Sequence, residues 1–186
     1  PGLRNLQSGD ELEDLLGRLK ETRKDLASSS LDYPMFLKVA PDLDSAQIEH
    51  IYAVTKKSRM DALIVSNTTL ARPESLRSKH KGETGGLSGQ PLFEASTQIL
   101  REFASLTKGK LPLIGVGGIS NGAQAYEKIL AGASAVQLYS ALAFQGPELV
   151  MKICDDLAAR LTELRREAEN LCVDEGVIFP DCSNSF

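Results

Sequence analysis

Glycine and small polar residues follow two apolar runs of the chain, where buried strands are predicted to end. The first run closes on Gly117 and Gly118, the second closes on Tyr139 and Ser140, and a helical pattern follows each. Because glycine has no Cβ, its backbone can take positive φ and lie against a ligand. Amides at such a strand end, helped by the dipole of the next helix, could bind a phosphate. Two such units in succession match the phosphate site after strands seven and eight of a (β/α)8 barrel.

A third predicted strand end is more polar. The apolar run 62–65 is followed directly by Ser66, Asn67, Thr68 and Thr69. The carboxyl ends of barrel strands are where ligand-contacting groups lie. A polar turn leaving the strand is the alternative. We favour ligand contact, because a turn rarely needs two threonines after an asparagine.

Lys38 stands in the centre of the short apolar run 35–40. A lysine at such a position is costly unless its ammonium is paired or faces a ligand. Two interpretations stay open. The side chain reaches water at a strand edge, or it presents a cation to an anionic or electron-rich ligand across the mouth of a barrel.

The segment 71–90 is long for a loop that joins a strand to a helix, since about 2–6 residues are usual. It is basic at first and then glycine-rich over residues 82–89. Long loops on the catalytic face of a barrel are commonly functional, and glycine lets the backbone press against a ligand. The alternative is an ordinary flexible insertion in which His80 and the charged side chains are solvated.

The remaining pattern alternates strands with amphipathic helices. Helices are predicted over residues 10–26, 45–58, 91–106, 123–131 and 147–169. Asp44 is a candidate cap of the second helix, and four leucines share one face of the first. One helix followed by four strand–helix units predicts an α/β fold with a parallel sheet. Four strands make half of a closed barrel and leave two unpaired edges, while residues 171–186 show no clear pattern.

The composition is that of a globular protein: 186 residues, 42% hydrophobic and 25% charged, with a net charge of −4. The sequence has no basic stripe interleaved with aromatics, so nucleic-acid binding is disfavoured, and no apolar run approaches the ~20 residues that span a bilayer. Cys154, Cys172 and Cys182 lack metal-ligand spacing, so we expect no metal site, a reducing compartment and buried or idle thiols. Because the sequence opens on Pro1, two interpretations stay open: an initiator methionine has been removed, or the sequence begins inside a longer protein.

Five segments, in order and at matching separations, resemble dihydroorotate dehydrogenase. They are residues 36–42, 63–69, 82–89, 114–119 and 136–140. The Glu-Thr-Gly-Gly-Leu-Ser-Gly loop and the Asn-Thr-Thr strand end resemble the class 2, quinone-dependent branch. The resemblance covers residues 1–157 and implies the C-terminal half of an FMN-binding (β/α)8 TIM barrel, about four βα units. Residues 158–186, the end of the last helix and a divergent tail, depart from the family.

This resemblance implies an oxidoreductase that converts dihydroorotate to orotate in de novo pyrimidine (UMP) biosynthesis, holds FMN and passes electrons to ubiquinone. It implies that Lys38 lies against the electron-accepting end of the flavin and that Ser66 touches FMN. Asn67 and Thr68 would bind the polar edge of orotate. The groups implied to hold the ribityl chain and phosphate are Ser88, Gly89, Gly117, Gly118, Tyr139 and Ser140.

The resemblance also places parts of the enzyme outside this chain. The catalytic base, a serine, is expected upstream of Pro1, so no catalytic residue is expected here and the isolated chain is predicted to be inactive. Ubiquinone and membrane contact are expected only through an N-terminal region. The implied location is the mitochondrial inner membrane or, alternatively, the bacterial cytoplasmic membrane.

Three other interpretations stay open. The first is a soluble class 1 dihydroorotate dehydrogenase that uses fumarate or NAD. The second is a non-catalytic module that binds a phosphate ligand. The third, another phosphate-binding barrel such as a synthase, accounts for the glycines but not for Asn67 and Thr68 together with Lys38.

Overall fold

A computed structural model describes residues 9–26 and 33–175, with side chains up to residue 168. Four strands form one parallel sheet in chain order. They are β1 (Phe36–Val39), β2 (Ala62–Val65), β3 (Leu113–Val116) and β4 (Ala135–Gln137). The register aligns Lys38 with Ile64 and Ile64 with Ile114, so the carboxyl ends of neighbouring strands reach the same edge. The predicted α/β fold, a parallel four-strand part of a barrel, is confirmed.

Helices connect the strands and follow the predicted pattern closely. Within the described residues they are α1 (Gly9–Leu26), α2 (Ser45–Lys57), α3 (Phe93–Thr107), α4 (Gly122–Leu130), α5 (Ser140–Gln145) and α6 (Glu148–Glu175). Asp44 caps α2 as predicted: its Oδ1 accepts from the Gln47 N–H at 2.8 Å, and the Gln47 Oε1 accepts from the Asp44 N–H at 2.9 Å. A reciprocal cap of this kind stabilises a helix by about 1 kcal/mol.

The end of the chain differs from the prediction. The last helix was expected to end near residue 169, but α6 continues to Glu175, so residues 171–175 of the unpatterned tail are helical. Cys154 on α6 is exposed rather than buried. The rest of the tail, residues 176–186, lies outside the described part of the chain, as do residues 1–8 and 27–32.

The main core lies between one face of the sheet and helices α2 and α3. Leu63 and Val65 of β2 pack with Leu100 and Phe103 of α3, and all four are fully buried. A smaller cluster joins the start of α3 to α4 and α6. Burial of such side chains supplies about 1.5–3 kcal/mol each, which fixes the helices behind the sheet.

Helix α1 packs through part of the predicted leucine face. Leu12 and Leu16 are buried, whereas Leu19 is 42% exposed. The contacts with α2 fall near the start of α1, where the His50 Nε2 lies 3.1 Å from the Gly9 carbonyl oxygen. Leu19 lies more than two turns further along, so the four leucines predicted to share one face are not equally buried. His50 is half-buried at this contact.

Strands β1 and β4 are the two edges of the sheet, because each pairs with only one described strand. The apolar run around β4 predicts a strand buried on both faces, but Ala135 and Gln137 are exposed and Val136 is half-buried. Phe36 of β1 is 47% exposed. The prediction of full burial was wrong for β4 because burial requires a neighbour on both sides, which the described chain does not provide.

Candidate functional site

One cavity of about 550 Å3 lies at the carboxyl edge of the sheet. It is lined by the ten residues that the resemblance assigns to the cofactor or the substrate: Lys38, Ser66, Asn67, Thr68, Ser88, Gly89, Gly117, Gly118, Tyr139 and Ser140. They come from all four strand ends and from the long loop after β2. The structure therefore brings the predicted residues together at one place, while their individual roles stay predictions.

Strand β1 delivers Lys38 to the cavity. Side chains alternate along a strand: Val39 is fully buried in the core, and its neighbour Lys38 is exposed and lines the cavity. Both interpretations of this lysine hold in part, since β1 is an edge strand and the side chain also faces the cavity. The arrangement places a cation at the mouth of the site.

The end of β2 is held by its own polar groups. Ser66 is 1% exposed and its hydroxyl donates to the Asn67 carbonyl at 2.9 Å. The Asn67 N–H donates to the Val39 carbonyl at 2.7 Å, and the Asn67 Oδ1 accepts from the Thr68 N–H at 2.8 Å. With this oxygen engaged, the Asn67 NH₂ group is the part that can donate to a ligand.

Thr69 does not share the predicted ligand role of its neighbours. It is 3% exposed, its hydroxyl donates to the Asp42 carboxylate, and its backbone bridges Leu87 in both directions, at 3.1 and 2.7 Å. The Leu70 N–H donates to the same carboxylate at 2.9 Å. Thr69 therefore ties the start and the end of the long loop to β1 and β2.

The long loop is organised by Arg72, which no sequence pattern singled out. Its guanidinium donates to five backbone carbonyls at 2.8–3.2 Å, those of Leu70, Ala71, Lys81, Glu83 and Gly85. An ordinary flexible insertion would not need one arginine that bonds five of its backbone carbonyls. His80 is exposed and lies 2.7 Å from an exposed Glu83 carboxylate, as expected for a solvated pair.

The glycine-rich part of this loop packs closely against Thr68 at the end of β2. A Cβ built on Gly86 would lie 1.9 Å from the Thr68 Oγ1, a distance at which no side chain fits. Further along, Gly89 has φ of +80°, and the Ser140 hydroxyl donates to the Ser88 hydroxyl at 2.8 Å. The loop is thus joined to the start of α5 beside the cavity.

The Gly117 and Gly118 pair after β3 has φ values of +110° and +75°. A Cβ on Gly118 would lie 2.5 Å from the Phe93 Cβ and 2.7 Å from the Phe93 backbone nitrogen, and one on Gly117 would lie 2.8 Å from the Ser96 Oγ. The sequence attributed these glycines to close approach of a ligand. The structure adds a second reason, which is that the first turn of α3 packs directly against them.

The start of α4 lies next to this pair and is capped by its own side chains. The Asn121 Oδ1 accepts from the Gln124 N–H at 2.9 Å. The Ser120 hydroxyl donates to the Gln124 Oε1 at 2.8 Å and lies 3.2 Å from the Gln90 Oε1. Ser120 and Gln90 line the cavity, and the sequence did not predict either because nothing in their local pattern marks them.

The edge of the cavity is apolar and open. Tyr139 and Phe144 are 84% and 87% exposed, respectively, and both line the cavity together with Leu138 and Gln145. Two large exposed aromatic rings beside one cavity form a patch that favours contact with a ligand or another part of the protein. Phe144 was not predicted because nothing in the local pattern after Ser140 marks it.

Comparison with known proteins agrees with this geometry. The family model described as dihydroorotate dehydrogenase matches residues 1–161. A relative from Azorhizobium caulinodans named dihydroorotate dehydrogenase (quinone) is 54% identical over 162 residues, covering 87% of this chain and 46% of its own. A relative of the same name from Rhodospirillum rubrum is 52% identical, covering 87% of this chain and 44% of its own.

A solved structure shows the same likeness. The crystal structure of the Eimeria tenella dihydroorotate dehydrogenase in complex with ferulenol superposes with a TM-score of 0.83 at 36% identity, covering 88% of this chain and 47% of that one. The chain therefore spans about half the length of the relatives it matches. Sequence and structural similarity extend over the same four strand–helix units that build the cavity, and the chain belongs to the dihydroorotate dehydrogenase family.

Proposed function

We propose that the protein containing this chain oxidises dihydroorotate to orotate, with FMN as its cofactor and a quinone as the electron acceptor, in de novo pyrimidine biosynthesis. The observation that carries the proposal is the convergence of ten family-matched residues on one cavity at the carboxyl edge of the sheet. The chain supplies the C-terminal half of the barrel in this proposal, with residues 1–157 as its barrel part.

The cavity fits a flavin nucleotide in size and chemistry. Its volume of about 550 Å3 lies in the usual range for a small-molecule site. The ribityl chain and phosphate would be held by Ser88, Gly89, Gly117, Gly118, Tyr139 and Ser140, which combine hydroxyl donors with backbone that no Cβ obstructs. When bound, FMN supplies the two-electron redox chemistry of the reaction.

Lys38 and Ser66 would contact the ring system. An ammonium that is fixed where negative charge develops lowers the barrier to electron transfer, because it needs no reorganisation during the reaction. Lys38 is held at this position by a strand whose next residue is anchored in the core. Ser66, with its hydroxyl bonded to the Asn67 carbonyl, would set the floor of the ring site.

Asn67 and Thr68 would recognise the substrate. Their backbone is fixed by Val39 and by the Asn67 side chain, so the amide group of Asn67 is presented in one orientation. A site that hydrogen-bonds polar edges disfavours a ligand lacking them, because the polar groups of the site are then left unpaired once the ligand covers them. The carbonyl and N–H edge of orotate matches such donors and acceptors.

Other parts of the enzyme would come from outside this chain. The serine base is proposed to precede residue 1, and quinone and membrane contact are proposed for an N-terminal region, so the isolated chain should be inactive. No described helix is both long and apolar enough to cross a membrane. We place the whole protein at the mitochondrial inner membrane or at the bacterial cytoplasmic membrane. The names of the two relatives favour a quinone over fumarate or NAD.

The test is turnover by the full-length protein with dihydroorotate, comparing a quinone, fumarate and NAD as acceptors. We expect orotate and quinol to form in equal amounts, and Lys38→Met to lower the rate at least tenfold. Turnover with fumarate or NAD alone would favour class 1. Binding of FMN without any turnover would favour a non-catalytic module.

A further inference from the structure

Lys128 of α4 is a buried cation that the proposed function leaves unexplained. Its side chain is fully buried. The ammonium donates to the Ser96 Oγ at 2.6 Å and lies 5.0 Å from the centroid of the Phe93 ring. Burying an ammonium costs several kcal/mol unless it is compensated, and one hydroxyl and one ring face compensate only part of that.

A hydrogen-bonded chain leads from this ammonium to the glycine pair of the cavity. The Ser96 hydroxyl lies 3.0 Å from the Phe93 carbonyl oxygen and 3.2 Å from the Gly117 carbonyl oxygen, so its one hydrogen is shared between them. Ser96 also packs where a Gly117 Cβ would be. Lys128 therefore lies two hydrogen bonds behind the backbone that lines the cavity.

We infer that Lys128 is a positioning residue. Through Ser96 it holds the backbone of Gly117 and Gly118 for a phosphate group, and it places a buried positive charge behind that backbone. The inference rests on the proposed function, because it takes the phosphate of a flavin nucleotide to lie at this strand end. In this role Lys128 does not touch the ligand, but its positive charge stabilises the bound phosphate.

The surroundings of Lys128 support this role. Burial lowers the pKa of Lys128 to about 7, Glu127 and Glu94 raise it, and Arg101 lowers it. A bound phosphate would favour the charged form. If Lys128 served packing alone, an apolar side chain of similar volume would do as well or better, so the charge needs a separate explanation.

The test compares FMN with riboflavin, which lacks only the phosphate. Dissociation constants are measured at pH 6.5 by quenching of flavin fluorescence on the flavin-free, full-length protein. Lys128→Met is expected to weaken FMN binding about thirtyfold, the size of one attraction between unit charges across ~8 Å at an effective dielectric of about 20, and to leave riboflavin affinity within about twofold. Arg18→Met is the control, because Arg18 is an exposed cation of α1 that lies 3.9 Å from the Asp14 carboxylate and does not line the cavity, and the preference of this variant for FMN should be unchanged.

Each outcome decides a different point. If the wild-type protein binds FMN more tightly than riboflavin and Lys128→Met keeps the same ratio of affinities, the role inferred for Lys128 is wrong and the proposed function stands. If Lys128→Met weakens both flavins equally, the lysine is structural and the inference fails. If the wild-type protein binds neither flavin, the proposed function and this inference fall together. Lys128→Gln decides the matter in the same comparison if Lys128→Met does not fold.

Discussion

Replacing Gly118 by alanine tests the structural reasoning about the cavity most directly. Gly118 has φ of +75°, and an alanine in the left-handed region costs about 1–2 kcal/mol. The new Cβ would lie 2.7 Å from the Phe93 backbone nitrogen and Cα. Because these are backbone atoms, the first turn of α3 would have to move as a unit.

The left-handed φ of Gly118 and the contact with the Phe93 backbone together set the expected loss of stability. Overpacking a tight contact costs about 1–3 kcal/mol, so Gly118→Ala should lower the free energy of unfolding by about 2–5 kcal/mol. The shift of α3 would also displace Ser96 and Gly117, and FMN affinity should fall at least tenfold. Urea unfolding of the flavin-free protein measures the first effect, and fluorescence quenching of FMN measures the second.

Gly17→Ala is the matched control. Gly17 lies in the middle of α1, and a Cβ there would meet no heavy atom within 4 Å. The same substitution should therefore stabilise the protein by about 0.5–1 kcal/mol through helix propensity and leave FMN binding unchanged. The reasoning is refuted if Gly118→Ala and Gly17→Ala have the same effect on both quantities.

Two further predictions concern groups outside the ligand contacts. Because burial lowers the pKa of Lys128 from 10.5 to about 7, the unfolded protein binds more protons between these values, so the contribution of Lys128 to stability rises with pH from about 7 to about 10. Lys128→Met should flatten this part of the pH profile of unfolding and Arg18→Met, a change of an exposed cation on α1, should not; an unchanged slope in Lys128→Met would contradict the burial argument. Arg72→Lys should speed cleavage after Glu83 by a Glu-specific protease severalfold, because a lysine cannot bond five carbonyls at once, whereas Arg77→Lys, an exposed change in the same loop, should leave the rate unaltered. Equal rates would mean that Arg72 does not order the loop.

The sequence predicts the residues of the site better than the contacts that hold them. Glycines and short polar side chains at strand ends carry their signal locally, so the sequence alone is enough to place Lys38, Asn67 and Gly118 at one edge of the sheet. Thr69 shows the limit of this reasoning. It has the same residue type as Thr68 and follows the same strand, but its bonds to Asp42 and Leu87 join positions far apart in sequence, which no local pattern reports.

Arg72 and Lys128 were missed for the same physical reason. In sequence, each is one charged residue in a loop or helix that contains others. Lys128 is important because it is buried, and Arg72 because carbonyls from separate parts of the loop converge on it. Only the folded chain creates these surroundings. The burial of β4 was predicted wrongly for a related cause, since an apolar run states what a strand can bury but not whether a neighbour is present to cover it.

The contacts that support the cavity lie within the described chain. The proposed binding of the ligand and the proposed base therefore belong to different parts of the protein. Ser88 bonds Ser140, Ser96 bonds Gly117, and Asp42 bonds Thr69. Each pair joins two elements whose ends line or flank the cavity, so the shape of the proposed phosphate end is determined by these elements themselves. The proposed base, in contrast, belongs to the part of the protein that is proposed to precede residue 1. Substitutions in this chain should therefore act mainly on flavin affinity and substrate recognition, with Lys38 as the exception because it alone among the lining residues carries a charge that can stabilise the reacting ring.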